Sequence, residues 1–187
     1  MDLSDSELIR RARDGDVDCF EVLVRRYHSP CMGFARRMLG ERADAEEAVQ
    51  DAFTSAYRAL GRYTDRDRFR TWLMQILVNR CRSVLRSRRR RPELVPYGPG
   101  DDVPEPAGAG ESEWSEAVQE ALGRVRPALR EALLLHHVEG YPYDEIARLT
   151  GARVSAVKMR VKRGRDQLRA LLQERYDARR MLEGDRA

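Results

Sequence analysis

The chain has 187 residues, room for one ordinary domain or two small ones, with 42% hydrophobic and 35% charged residues and a net charge of +4. Aromatics make up only 7% and strand-like runs of Val, Ile and Thr are missing, which favours helices with wide solvated faces over sheet. The charged, amphipathic residues 1–14 lack a secretory core and no stretch approaches a membrane span, so the expectation is an all-α cytoplasmic protein with no membrane contact.

Ser4 or Asp5 can cap a first helix carrying Leu8, Ile9 and Ala12, which Gly15 and Asp16 end. Phe20, Leu23, Val24 and Tyr27 follow at helical spacing. Pro30 should break or restart that helix before Phe34, Met38 and Leu39 carry the stripe to Gly40. Asp44 is expected to cap the next helix, with Glu46 and Glu47 in its favourable first turn and Val49, Ala52, Phe53, Ala56, Tyr57 and Leu60 as its apolar stripe. After a polar loop, residues 64–68, a long helix runs from Phe69 through Leu73, Ile76, Leu77, Cys81, Val84 and Leu85 to the stop at Pro92.

Residues 92–112 hold five prolines and four glycines with almost no apolar periodicity, and read as a flexible acidic linker between two domains. Beyond it Trp114, Val118, Ala121, Leu122 and Val125 open the second domain. Pro127 suits the first turn of a helix carrying Leu129, Ala132, Leu133 and His136, Gly140 and Pro142 mark a turn, and a charged tail begins near Arg175. The expected divisions are 1–91, 92–112, 113–175 and 176–187.

Charge is patterned along this frame. Residues 80–91 hold seven basic side chains and no acid, residues 153–169 hold seven against Asp166 alone, and residues 92–113 between them carry six acids and no base. Two basic blocks on either side of an acidic stretch point to two polyanion-facing surfaces, with solvated helix faces as the plain alternative.

With Tyr143 as the first position of a helix-turn-helix, Ala147 falls where the first helix must be small, Gly151 in the turn, and Val157 where the second helix needs a branched anchor, supported by Ile146, Leu149 and Val161. Ser155 is then the expected cap of the second helix, whose outward face shows Lys158, Met159, Lys162 and Arg163, the side-chain types that read guanine edges and neutralise phosphates. A second constellation opens at Phe69, Arg70, Thr71, Trp72 and Leu73 and continues to Asn79 and Arg80. Aromatic and amide groups beside an arginine row suit unstacked single-stranded bases. Trp72 lies beside the apolar stripe and reads better as core, whereas Asn79 sits mid-helix against its propensity and invites a functional reading, an idle exposed amide being the alternative.

No catalytic constellation emerges. Cys19, Cys31 and Cys81 have neither disulfide-framework nor zinc spacing and read as buried thiols, and His136 on its apolar face reads as a core histidine. There is no phosphate-cradling Gly-rich loop or nucleophile elbow, and Glu46, Glu47 and Asp51 are explained by charge near a helix N-terminus. No metal, cofactor or small-molecule substrate is expected.

The run Asp44, Ala45, Glu46, Glu47, Ala48, Val49, Gln50, Asp51, Ala52, Phe53, followed by Ala56 to Leu60, resembles the polymerase-binding helix of the extracytoplasmic-function sigma factors of bacteria. Phe69 to Leu73 with Val78-Asn79 resembles their promoter-melting helix, and Glu139 to Ala147 with the basic helix after Val154 resembles their upstream-element reader, so the likeness covers nearly the whole chain in order. It implies two helical domains joined by a linker that threads RNA polymerase along the later path of nascent RNA. It implies docking on core polymerase through Glu47, Gln50, Asp51 and Arg58. It also implies capture of a flipped minus-ten base by Asn79 with Thr64, Asp65, Arg66, Asp67, Arg68 and Arg80 nearby, and contact with the minus-thirty-five element through Ser155, Lys158, Met159, Lys162 and Arg163. Such factors are often held by an anti-sigma factor. Two departures stand out: Arg66, Asp67 and Arg68 replace a Gly-Ser-like stretch, and Gly164 replaces an alanine at a helix-propensity cost of about 1 kcal/mol. The competing reading is a one-component helix-turn-helix regulator, whose sensor domain would not need the second basic surface.

Overall fold

The computed structural model describes residues 3–64, 68–90 and 109–184, the side chains of 109–115 and 178–184 excepted. All the regular structure among them is helical, and the chain divides into two compact units, residues 1–95 and 96–187. Asp65, Arg66, Asp67, Arg91 and nearly all of the expected linker lie outside the described residues.

The first unit is built from α1 (Asp5–Arg13), α2 (Val17–Leu39), α3 (Arg42–Ala59), a single 3-10 turn (Leu60–Arg62) and α4 (Phe69–Arg90). Ser4 caps α1 by accepting from the Glu7 N–H, and Asp16, expected only as a terminator, caps α2 by accepting from the Cys19 N–H. Contrary to expectation, α2 runs through Pro30 as one helix of 23 residues. An interior proline costs about 3 kcal/mol. Here Phe20 and Leu23 on one side of it and Phe34, Ala35, Met38 and Leu39 on the other are all buried, and each large apolar side chain so buried returns about 1.5–3 kcal/mol. Packing therefore outweighs the local break.

Asp44 is not a cap either. The helix begins at Arg42 with Glu41 in the cap position and no side-chain cap bond. Asp44 sits inside the first turn and receives the Arg88 guanidinium, whose Nε lies 2.8 Å from Oδ2 while Nη1 donates to the Leu39 carbonyl at 2.9 Å. This arginine clamps the late part of α4 to the junction of α2 and α3. Ala45, Ala48, Ala52 and Ala56 make a ridge of small buried residues along α3, which lets α2 and α4 approach it closely.

The second unit comprises α5 (Ala109–Arg124), α6 (Pro127–His137), α7 (Tyr143–Thr150) and α8 (Val154–Gly184). Helix α5 takes in the last four residues of the expected linker, and α8 continues well past Arg175, where a ragged tail was expected. A second contact line explains that length in part: Ala121 and Val125 of α5 pack on Leu171 with Leu129, Leu168 and Leu172 alongside, and Arg175 pairs with Glu120. Pro127 opens α6 as expected. Arg130, 5% exposed, turns back to donate to the Gly123 carbonyl at 2.5 Å and the Val125 carbonyl at 3.0 Å, satisfying acceptors at the end of α5.

Candidate nucleic-acid interface

The α7–α8 pair has the helix-turn-helix geometry. Gly151 ends α7 in the left-handed conformation at φ 66°, where a side chain would be strained, and the Ala152 N–H donates back to the Ala147 carbonyl at 3.0 Å. Ile146, Ala147, Leu149, Val157 and Val161 are buried between the two helices and α6. Because one side of α8 is committed to that core, Ser155, Lys158, Met159, Lys162 and Arg163 stand exposed on the other, Met159 at 49%. Ser155 does not cap the helix: the Val157 N–H already bonds the Arg153 carbonyl at 3.0 Å, so Arg153 holds the cap position and Ser155 lies in the first turn.

Gly164 has a role that propensity alone concealed. It is buried against α6, and a Cβ there would lie 2.9 Å from the Leu129 carbonyl oxygen. The missing side chain is what allows α8 to cross α6 so closely.

On the first unit α4 buries Phe69, Leu73, Met74, Leu77, Val78 and Cys81 and leaves Asn79 and Arg80 exposed, so the mid-helix amide is a surface group. Trp72, expected in the core, is only half-buried. It stacks on Tyr63 with ring centroids 4.6 Å apart and touches Phe69 at 5.7 Å, while Phe69 in turn meets Tyr27 at 5.5 Å. Seven residues separate Trp72 from Asn79, two helical turns, so both belong to one side of α4. Thr64 and Arg68, either side of the part of the loop outside the described residues, are exposed.

Glu47, Gln50, Asp51 and Arg58 are all exposed on α3. Gln50 borders an apolar groove between α2 and α3 formed by Val17, Phe20, Val24, Val49, Phe53 and Tyr57. Val17 is 58% exposed and Tyr57 42%, and the Phe20 and Tyr57 rings meet at 4.9 Å. Sequence reasoning placed Tyr57 in the buried stripe. Its place beside Arg58 and one turn from Thr54, both on the polar face, was the available signal. On the opposite flank of α3, Arg80 of α4 donates to Ser55 Oγ at 2.8 Å and lies 3.7 Å from the Asp51 carboxylate. Two residues expected on different surfaces thus meet.

No group of His, Cys, Asp and Glu among the described residues could hold a metal ion. The three cysteines are buried and unlinked, and burial followed by the hydrogen bond to Asp16 pushes the Cys19 thiol above its ordinary value, away from the reactive thiolate. Among the described residues no helix is long and apolar enough to cross a membrane.

One unit thus carries a basic helix-turn-helix, the motif whose second helix enters the DNA major groove, and the other an exposed amide two turns along α4 from an aromatic cluster. The comparisons sharpen this. Residues 23–91 match the family model for sigma-70 region 2, and residues 115–168 match that for sigma-70 region 4. The chain is 36% identical over 170 residues to the RNA polymerase sigma factor CarQ of Myxococcus xanthus, covering 89% of this chain and 96% of that one. It is 35% identical over 170 residues to the ECF RNA polymerase sigma factor SigM of Mycobacterium tuberculosis, covering 90% and 85% respectively. Among solved structures, CnrH in complex with the cytosolic domain of CnrY superposes with a TM-score of 0.68 at 31% identity, over 91% of this chain and 97% of that one. The chain belongs to the extracytoplasmic-function class of the sigma-70 family of RNA polymerase sigma factors. It is accordingly a transcription initiation factor whose partners are core RNA polymerase and promoter DNA.

Proposed function

We propose that three faces divide the work of initiation. The outer row of α8, Ser155, Lys158, Met159, Lys162 and Arg163, contacts the minus-thirty-five element. Asn79, with residues 64–68 and Arg80, captures an unpaired minus-ten base and so promotes melting. Glu47, Gln50, Asp51 and Arg58, together with the apolar groove beside Gln50, dock on core polymerase. The first unit corresponds to residues 1–91, the linker begins at 92 and the promoter-reading unit reaches 175.

The observation that carries this reading is the one-sided burial of α8: Val157 and Val161 are in the core while the basic row opposite them is exposed. An α-helix fits the major groove, and Arg and Lys on its outer face meet base edges and phosphates there. In this reading the protein works in the cytoplasm and carries no catalytic chemistry of its own. An anti-sigma factor is a further partner, supported by the similar CnrH having been solved with the cytosolic domain of CnrY.

Run-off transcription tests the proposal. Core polymerase with this chain alone should initiate from its cognate promoter. A one-component regulator would support transcription only when another sigma factor is supplied, and that result would overturn the reading.

A further inference from the structure

Tyr143 is the first residue of α7 and the junction of three elements. His136, close to the end of α6, stacks on its ring at a centroid distance of 4.3 Å and an interplanar angle of 26°. The imidazole is itself oriented: Nδ1 lies 3.0 Å from the Tyr141 carbonyl oxygen, and since a carbonyl only accepts, Nδ1 carries the proton and donates. From α8, the Lys158 ammonium lies over the Tyr143 ring, 5.8 Å from its centroid. That distance is within the range where the negative face of an aromatic ring attracts a cation. Tyr143 is half-buried and Lys158 exposed, so the ring is anchored while the ammonium is presented.

We propose that Tyr143 is a positioning residue for promoter recognition, its ring holding the Lys158 ammonium in one presentation at the start of the reader helix. A lysine is a point charge on a flexible stem, and its freedom must be surrendered when it binds a base edge or a phosphate. A ring that already restrains the ammonium removes part of that loss. His136 contributes at one remove, by fixing the ring. The proposal rests on the reading that the outer row of α8 contacts the minus-thirty-five element.

The test is a two-by-two binding comparison with the full chain reconstituted on core polymerase and titrated against promoter duplex. Tyr143→Leu should weaken binding about two- to five-fold, the size of a cation–π contact at an exposed site. Tyr143→Phe keeps the ring and should stay close to wild type. In a Lys158→Met background, Tyr143→Leu should have almost no further effect. His136→Leu provides a second approach should Tyr143→Leu lower the unfolding midpoint, and it should show the same dependence on Lys158 with a smaller loss. An equal loss from Tyr143→Leu with and without Lys158 would overturn the proposal, as would a loss from Tyr143→Phe matching that from Tyr143→Leu. If Lys158→Met binds as wild type, the assignment of α8 falls and the positioning role falls with it. If Lys158→Met weakens binding and Tyr143→Leu does not, the positioning role alone is wrong.

Discussion

The two units use basic side chains differently. In the first, Arg80 and Arg88 of α4 turn inward along α3, one to Ser55 and Asp51, the other to Asp44 and the Leu39 carbonyl. In the second, Lys162 and Arg163 have no acid within ion-pair distance among the described residues, and Lys158 faces an aromatic ring instead of a carboxylate. Similar runs of arginine and lysine therefore serve different purposes: part of the first block is a brace between helices, whereas the outer row of the second is displayed. Charge counts cannot separate these roles, because the acids that claim Arg80 and Arg88 lie 29 and 44 residues earlier in the chain.

The sharpest way to break the comparison is to attack the brace where it meets the docking face. Gln50→Ala with Asp51→Arg places a cation beside Arg80 and removes two groups from the polymerase-facing helix. Core polymerase affinity should fall about thirty-fold or more, the size of an interface hot spot, while the helical circular dichroism spectrum is retained because both residues are exposed. A binding titration indistinguishable from wild type would remove the docking assignment.

Next in size is the contrast between Arg163→Ala and Arg80→Ala. A displayed arginine that contacts a base edge in two places is worth about 1–3 kcal/mol, and its loss relaxes selectivity at one position. If it meets only phosphate, binding falls on every sequence and the salt slope flattens by about one unit. Arg80→Ala should cost duplex binding less, since that guanidinium already has protein partners. Equal losses measured across a salt series would erase the distinction between brace and display.

Gly164→Ala tests the seating on which the displayed row depends. Helix propensity favours alanine by about 1 kcal/mol. The new Cβ would press on the Leu129 carbonyl oxygen at 2.9 Å, and overpacking of this kind costs about 1–3 kcal/mol. The melting temperature of the variant should fall. A rise would mean that α6 yields freely and that the close crossing is not required.

The smallest expected effect is the Arg88–Asp44 coupling. The two side chains are 39% and 33% exposed, so solvent screens the pair. A double-mutant cycle in urea should return no more than about 1 kcal/mol. A coupling of several kcal/mol would show the brace to be a major source of stability in the first unit.

Much of this was legible in the sequence, for definite physical reasons. The apolar stripes and the Ala147, Gly151 and Val157 spacing encode local geometry, and local geometry gave the helices and the helix-turn-helix. The outward row of α8 followed, because fixing one face of a helix fixes the opposite one. What escaped depended on distant neighbours. Pro30 stays helical because buried residues on both sides hold it. Asp44 looked like a cap, but the Ala45 N–H bonds the Glu41 carbonyl and starts the helix earlier, leaving Asp44 to Arg88; Ser155 looked like one until the Arg153 carbonyl took the first helical bond. Gly164 reads as a propensity defect unless the Leu129 backbone is known to lie against it. Tyr57 belongs to an apolar stripe in sequence yet borders an open groove in space.

The central claim is that reading and opening of the promoter reside on separate helices, with Asn79 responsible for opening. An amide can pair with a base edge through one donor and one acceptor, and that edge is presented only after unstacking, which costs a few kcal/mol. Permanganate footprinting of Asn79→Ala holoenzyme, on a duplex promoter and on one pre-melted at minus ten, measures this directly. The account predicts closed-complex binding near wild type, loss of reactivity at unpaired thymines on the duplex, and substantial recovery on the pre-melted template. Wild-type reactivity on the duplex from a correctly folded Asn79→Ala protein would contradict it.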